Sequence, residues 1–150
     1  MSQKRRFLPP TLLGMSMLVA LLLHLWLPLI WFPWLVVRLL GGALLLFGLV
    51  MTASAAGAFN RAGTPVVPFE RSTALVTDGW YRFTRNPMYL GMALMLFGGG
   101  MALGSLGAML PTAAFVATVQ SNFIEGEEQL LTESFGERYR EYKSRVRRWL

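Results

Sequence analysis

Four apolar segments, each close to the length needed to cross a bilayer, constrain this chain more than any other feature. They comprise residues 12–31, 35–59, 88–103 and 106–123. The hydrocarbon core of a membrane is about 30 Å thick, and about 20 helical residues span it. Backbone groups inside lipid must be satisfied within the protein, so segments of this kind fold as helices. The sequence therefore predicts an all-α integral membrane bundle of about four transmembrane helices.

The composition agrees with membrane residence. Apolar residues make up 54% of the 150 residues and charged residues only 15%. In so apolar a chain, the net charge of +6 indicates contact with anionic lipid headgroups rather than nucleic acid. The absence of cysteine excludes disulfides and thiolate metal sites. Several spans within this length leave room for a single domain, residues 1–150, and its oligomeric state stays open.

Cationic residues predict the side of the membrane on which each connection lies. They fall before the first span, between the second and third, and after the fourth: Lys4, Arg5, Arg6; Arg61, Arg71, Arg82, Arg85; Arg138, Arg140, Lys143, Arg145, Arg147, Arg148. With four spans these groups share one side, and Arg38 lies opposite. Because cytoplasmic segments are enriched in Lys and Arg, we predict that both termini are cytoplasmic, at the inner or plasma membrane in a bacterium.

Two segments outside the spans are predicted to fold. The connection at residues 60–87 is long and rich in proline and aromatic residues, which indicates a folded cytoplasmic loop. Across residues 125–149, apolar residues recur every three or four positions between charged ones. That spacing predicts an amphipathic C-terminal helix on the membrane surface, with a break near Gly136.

Small and aromatic residues predict helix contacts and one membrane boundary. Close backbone approach is expected at the small residues ending the second and third spans: Ala53, Ala56, Gly57, Gly100 and Gly104. A turn with an aromatic belt is expected around Pro28 and Pro33, beside Trp26, Trp31 and Trp34. Arg38 is expected to extend back to that interface, and the lone His24 to make a polar contact between helices.

The start of the third span is the first candidate binding site. Pro87 is typical of a first helical position, and Asn86 of the capping residue before it. Capping, with Arg85 as a topology anchor, would explain this segment without a ligand. The same geometry also sets free backbone N–H groups beside a guanidinium, which suits a ligand carboxylate or phosphate.

Two adjacent acids, Glu127 and Glu128, follow the fourth span. Exposed glutamates are ordinary at the start of a helix, where they favour its dipole. A carboxylate here would also be able to accept hydrogen bonds from ribose hydroxyls or attract a cationic ligand.

These residues form one ordered pattern. It reads Leu75-Val76-Thr77-x-Gly79-x-Tyr81-x-x-x-Arg85-Asn86-Pro87-x-Tyr89-x-Gly91, then Glu127-Glu128-x-x-Leu131-x-x-x-Phe135-Gly136-x-x-Tyr139-x-x-Tyr142. In order and spacing it resembles the isoprenylcysteine carboxyl methyltransferase family and the related membrane phospholipid methyltransferases. The resemblance covers residues 60–149, and the first two spans match only as generic apolar helices.

The resemblance implies a membrane enzyme that uses S-adenosyl-L-methionine, bound on the cytoplasmic side. Carried over position by position, it implies cofactor contacts at Thr73, Ala74, Leu75, Val76, Tyr81, Asn86, Pro87, Met88, Tyr89 and Glu127. Arg85 joins this set from the anion-site argument. The implied acceptor is a lipophilic small molecule or lipid-anchored substrate: an isoprenylcysteine-type carboxylate, a phospholipid amine, or a small thiol or acid. No catalytic residue is assigned.

The chain departs from the family pattern at two positions. Asn86 stands where the motif more often carries histidine, so a histidine-dependent step cannot be assumed. Phe123 stands where prenylcysteine enzymes carry a substrate-contacting arginine. The alternative function is a non-enzymatic four-helix membrane subunit that binds a partner or anionic lipid. It accounts for the basic tail but gives no reason for the ordered set of Tyr81, Arg85 and Glu127.

Overall fold

The structure is a computed structural model that describes residues 8–70 and 72–150. Lys4, Arg5, Arg6 and Arg71, used in the topology prediction, lie outside the described residues. The described chain is helical: α1 Pro9–Trp26, α2 Leu35–Arg61, a 3₁₀ helix Gly79–Arg82, α3 Pro87–Leu103, α4 Leu106–Met109, α5 Pro111–Val119, a π-helical turn Gln120–Ile124, α6 Glu125–Phe135 and α7 Glu137–Arg145. This confirms the all-α prediction.

Two helices, α1 and α2, are long and apolar enough to cross a membrane. At 1.5 Å per residue, the 27 residues of α2 extend about 40 Å. Large apolar side chains on both helices point outward, among them Leu18, Leu25, Leu39 and Val50, each more than half exposed. A helix that is apolar on its outer face as well as its inner one is typical of a membrane span.

The other two predicted spans are less regular than expected. Helix α3 is apolar but has only 17 residues. The predicted fourth span, residues 106–123, is divided into α4, α5 and the π-helical turn. Pro111 separates α4 from α5 because it has no N–H to donate to the preceding turn. Helical backbone then continues past residue 123 into α6, so the count of four spans stays a prediction.

Helices α2 and α3 pack with their backbones in close approach, at glycines spaced seven residues apart. A Cβ on Gly98 would lie 2.6 Å from the carbonyl oxygen of Gly41, and Gly48 faces Gly91 in the same way. The expected contacts at Ala53 and Gly57 were wrong, since Ala53 is exposed and a Cβ on Gly57 would meet only the Arg61 side chain. Close approach of this kind gives van der Waals contact that lipid cannot supply.

The connection between α1 and α2 is fastened to the connection after α3. Backbone N–H groups of Phe32, Leu106 and Gly107 donate across it to Gly104, Ile30 and Pro28. His24 Nδ1 lies 2.9 Å from the hydroxyl of the buried Ser105, which confirms the polar contact predicted for this histidine. Arg38 Nε donates to the carbonyl of Ala102 at the end of α3, and its extension to the membrane interface stays a prediction.

At the opposite end of the bundle, the loop after α2 folds back along that helix. Trp80 Nε1 donates to Ser54 Oγ at 2.8 Å, and the Trp80 ring meets Phe47 edge to face. The tail helices α6 and α7 close this end from the other side, with a break at Gly136, whose φ is +53°. The loop, the start of α3 and the tail therefore meet in one place.

Candidate functional site

The site forms where the start of α3 meets the last residues of the chain. Pro87 occupies the first turn of α3, where its missing N–H has no cost. Asn86 occupies the N-cap position of α3, as predicted, but the expected capping hydrogen bond of its side chain was wrong, since the side chain makes none. Its Nδ2 donates instead to the carbonyl of Arg148, at 2.9 Å.

Residues 147–149 are fastened to this turn by several hydrogen bonds. The Arg85 N–H donates to the Arg147 carbonyl at 3.0 Å, and the Thr84 hydroxyl donates to the Arg148 carbonyl at 3.1 Å. Trp149 Nε1 donates to Gln120 Oε1 in the π-helical turn, at 3.0 Å. These contacts join three segments that are far apart in sequence and fix the backbone around Arg85.

Glu128 lies at the centre of a group of cations. Its side chain is 8% exposed and accepts two hydrogen bonds from Arg148, at 3.0 and 2.9 Å. Arg85 Nη1 approaches to 3.2 Å and Lys143 Nζ to 3.6 Å. Burial alone would raise the pKa of this carboxyl, but the Arg148 hydrogen bonds and the charges of Arg85, Arg148 and Lys143 outweigh it and hold the pKa below its usual range. Glu128 is therefore ionised.

Glu127, the neighbouring acid, faces a different environment. Its Oε1 accepts a 2.8 Å hydrogen bond from the hydroxyl of Tyr89, which is buried in the first turn of α3. Burial raises the pKa of Glu127 to about 7, although the Tyr89 hydrogen bond partly opposes this effect. A carboxyl with this pKa is half protonated near neutral pH and is able to accept or donate a hydrogen bond.

A narrow cavity of about 70 Å³ lies between these acids, the loop and α3. Nine of the eleven predicted cofactor contacts line it: Ala74, Leu75, Val76, Tyr81, Arg85, Asn86, Met88, Tyr89 and Glu127. Thr73 and Pro87 do not; Thr73 is exposed and bonds to Thr64 and Gly63, while Pro87 is buried within α3. An adjoining cavity of the same volume shares Glu127 and Met88 and continues toward Phe69.

Six further residues line the narrow cavity without having been predicted as cofactor contacts: Phe59, Ser72, Glu128, Leu131, Tyr139 and Tyr142. The hydroxyl of Tyr142 donates to the Tyr81 carbonyl at 2.6 Å in a buried position. A sequence signal existed for the tyrosines, since Tyr139 and Tyr142 are three apart on the apolar side of the tail helix. No pattern in the sequence indicated that Phe59 or Ser72 would line a cavity.

Two residues that line this cavity carry buried polar atoms without a hydrogen-bond partner. Among the described residues, the Tyr81 hydroxyl and the Nε and Nη1 of Arg85 make no hydrogen bond, although the Arg85 side chain is only 8% exposed. Burial raises the pKa of Tyr81, with the charges of Tyr142 and Glu127 adding to it, so its hydroxyl keeps its proton. Unpaired buried donors cost about 1–3 kcal/mol each, and more when charged, which indicates a missing acceptor.

A wider cleft of about 660 Å³ lies on the other side of Tyr81. Its walls are the C-terminal half of α2, with Ala55 and Ala58, and residues 75–76 and 78–83 of the loop. Arg61 and Arg82 also line this cleft. Arg85, with its two unpaired nitrogens, lines the narrow cavity and not this cleft, so the narrow cavity is the better candidate for a polar ligand.

Comparison with known families decides the relationship. Residues 36–138, more than two thirds of the chain, match the phospholipid methyltransferase family. The chain belongs to this family. The match takes in the loop, the start of α3 and both acids, and with them all residues that line the narrow cavity except Tyr139 and Tyr142.

Two individual relatives of this family member show how far the similarity extends. Over 63 residues, 42% of this chain, it is 40% identical to the whole of an uncharacterized protein of Haemophilus influenzae. Over 72 residues, 48% of this chain, it is 35% identical to the protein-S-isoprenylcysteine O-methyltransferase of Schizosaccharomyces pombe, of which it covers 30%.

A solved structure shares the fold. The eukaryotic intramembrane Ras methyltransferase, an isoprenylcysteine carboxyl methyltransferase, aligns with the whole of this chain at a TM-score of 0.69 and 20% identity. The chain covers 53% of that protein. This chain therefore spans about half the length of the solved relative and less than a third of the yeast one.

Proposed function

We propose that this family member is a membrane methyltransferase that uses S-adenosyl-L-methionine and methylates a lipophilic acceptor. The observation that carries the proposal is that Arg85 Nε and Nη1 are buried without a hydrogen-bond partner among the described residues, in the same narrow cavity that Glu127 lines. The cofactor offers groups that match both: a carboxylate for the guanidinium, and ribose hydroxyls for the glutamate.

Each residue then has a definite task. Arg85 binds the carboxylate end of the cofactor, since guanidinium and carboxylate form strong, directional hydrogen bonds. Glu127 accepts hydrogen bonds from the ribose hydroxyls. Tyr81 and Tyr89 line the cavity between these two residues and exclude water.

Methyl transfer depends mainly on how the acceptor and the methyl group are positioned. When bound, the cofactor supplies a methyl group on a positively charged sulfur. In-line displacement needs the acceptor atom and this methyl group to be held in line, which by itself can lower the barrier substantially. A carboxylate or thiolate acceptor needs no general base, whereas an amine must first lose its proton.

The wide cleft supports a lipophilic acceptor. It lies against α2 at the inner end of the bundle, and Leu75, Val76 and Tyr81 border both the cleft and the narrow cavity. An acceptor approaching from the membrane would therefore meet the cofactor at these three side chains. The aromatic Phe123, in place of an arginine, gives no specific support to a carboxylate acceptor.

Cofactor binding must widen the narrow cavity. Small-molecule sites usually enclose about 300–1,000 Å³, far more than the two adjoining cavities of about 70 Å³ each. Between α2 and the 3₁₀ helix, the described residues of the loop have no regular secondary structure. This segment is the part of the wall that can move with the least loss of backbone hydrogen bonding.

Thermal unfolding of the detergent-solubilised protein with S-adenosylhomocysteine tests the proposal. At a hundredfold excess over Kd, a ligand that binds only the folded form adds about 2.7 kcal/mol. Glu127→Ala should abolish most of this stabilisation, whereas the matched variant Glu133→Ala, exposed on the same helix, should retain it. No stabilisation of the wild-type protein would favour the non-enzymatic membrane subunit instead.

The acceptor is found by a second measurement. Membranes or lipid extracts are incubated with methyl-labelled cofactor, with and without the protein, and the labelled products are separated. Label in a phospholipid amine, an isoprenylcysteine-type carboxylate or a small thiol or acid would distinguish the three acceptor classes.

A further inference from the structure

The charges around Glu128 are unbalanced. Three cations, Arg85, Lys143 and Arg148, approach one carboxylate within 4 Å. Both Glu128 oxygens already accept from Arg148, at 3.0 and 2.9 Å. One buried carboxylate is thus shared by three cations, of which only Arg85 is itself buried, since the Arg148 and Lys143 side chains are 31% and 49% exposed.

Arg85 is the cation left without a full set of partners. Its Nη1 lies 3.2 Å from Glu128 Oε1, but neither Nη1 nor Nε makes a hydrogen bond among the described residues. The hydroxyl of Tyr139 faces the same guanidinium. Without Arg148, only the half-exposed Lys143 and the Tyr139 hydroxyl would compete, and Arg85 would be able to form with Glu128 the two-pronged ion pair that guanidinium and carboxylate favour.

We infer that Arg148 is a positioning residue: by occupying both oxygens of Glu128, it keeps two N–H groups of Arg85 available for an anionic group of the ligand. This inference rests on the proposed function, in which that group is the cofactor's carboxylate. Arg148 comes from the far end of the chain, and its backbone carbonyl also holds Thr84 and Asn86 on either side of Arg85. The side chain and the main chain of one residue thus act on the same arginine.

The test compares two ligands that differ in one group. S-adenosylhomocysteine carries the carboxylate, and its decarboxylated analogue does not. In the purified protein, Arg148→Gln should weaken binding of S-adenosylhomocysteine by about tenfold, the worth of one charge-assisted hydrogen bond. Binding of the analogue should stay within about twofold, since the substitution leaves the backbone carbonyl of residue 148 in place.

A second background separates positioning from direct contact. In Glu128→Gln the neutral amide cannot form a two-pronged ion pair with Arg85, so adding Arg148→Gln should cost less than about threefold in S-adenosylhomocysteine affinity. An equal loss in both backgrounds would overturn the inference, because Arg148 would then be acting on the ligand or on the fold. An equal loss for both ligands in Arg148→Gln would overturn it as well.

Two further measurements keep the test decisive. If Arg148→Gln fails to fold, Arg148→Lys retains the charge with a single contact and should weaken S-adenosylhomocysteine alone, by about threefold. Equal losses for both ligands in this variant would contradict the inference. Failure of the wild-type protein to bind either ligand would reject the proposed function, and the role of Arg148 with it. Wild-type binding without the ligand-specific loss would reject the role of Arg148 alone.

Discussion

The hydroxyl of Tyr89 donates a 2.8 Å hydrogen bond to Oε1 of Glu127, and this contact joins the first turn of α3 to the first turn of α6. It has an electrostatic consequence. Burial raises the pKa of Glu127 from 4.5 to about 7, and the Tyr89 hydrogen bond lowers it. The value near neutrality is therefore a balance between a partly buried position and a single donor.

Removing the Tyr89 hydroxyl should raise the pKa of Glu127 further. In Tyr89→Phe the carboxylate loses its hydrogen bond while the apolar ring remains, so the pKa of Glu127 should rise above about 7. Carbon-13 NMR of labelled glutamate side chains across pH 5–9 would follow the titration directly. An unchanged or lower midpoint would contradict the hydrogen bond as the opposing effect.

The raised pKa also makes stability depend on pH. Because the pKa of Glu127 in the folded chain, about 7, lies above the ordinary value of 4.5, the folded state holds a proton that the unfolded chain releases. This contribution is complete below about pH 4.5 and is lost as pH rises through 7. Glu127→Gln cannot titrate, so relative to wild type it should gain stability as pH increases from 4.5 to 8. A melting temperature of Glu127→Gln that falls relative to wild type over this pH range would contradict the raised pKa of Glu127.

The glycine contacts between α2 and α3 make a third prediction. A methyl group at Gly98 would lie 2.6 Å from the Gly41 carbonyl oxygen and from the Leu45 nitrogen. Gly98→Ala should therefore cost about 1–3 kcal/mol, the usual cost of overpacking. Gly42→Ala is the matched control, since nothing lies within 4 Å of a Cβ there and alanine favours a helix. Equal melting temperatures for the two variants would contradict the close packing.

Local features of the fold were predictable from the sequence. The apolar segments identified α1 and α2, and Pro87 marked the first turn of α3. Both features depend only on the local sequence: the length of an apolar segment, and the missing N–H of a proline. The seven-residue spacing of Gly41 with Gly48, and of Gly91 with Gly98, was also present in the sequence. The predicted contacts, however, lay at small residues near the ends of the spans, and these glycines lie earlier in α2 and α3.

Contacts between distant residues were not predictable in the same way. The Asn86 side chain was expected to cap α3, and instead it bonds to a carbonyl 62 positions later. Local geometry permits both partners, and only the folded tail decides between them. Similarly, adjacency in sequence could not show that Glu127 faces Tyr89 while Glu128 faces Arg148. Successive helical residues point in directions about 100° apart, and tertiary packing determines what each one meets.

A fourth prediction concerns the wall of the narrow cavity. The Tyr142 hydroxyl donates to the buried Tyr81 carbonyl at 2.6 Å. Tyr142→Phe leaves that carbonyl without its partner and should cost about 1–3 kcal/mol in unfolding free energy. The exposed hydrogen bond of Ser144 to Glu141 provides a control, because Ser144→Ala should change stability by about 0.5 kcal/mol or less. S-adenosylhomocysteine affinity, measured in the same samples, should fall only in the tyrosine variant, since Tyr81 lines the cavity.

The fifth prediction concerns orientation in the membrane. The cationic residues of the loop and tail favour the cytoplasm, and the turn between α1 and α2 should face the opposite side. The chain has no cysteine, so a single introduced thiol reports unambiguously. Ile30→Cys, half exposed in that turn, should react with an impermeant maleimide in intact cells. Glu137→Cys, exposed at the start of α7, should react only after the membrane is permeabilised. The reverse pattern would place the cavity of Arg85 and Glu127 on the outer face, where it could not draw on a cytoplasmic cofactor.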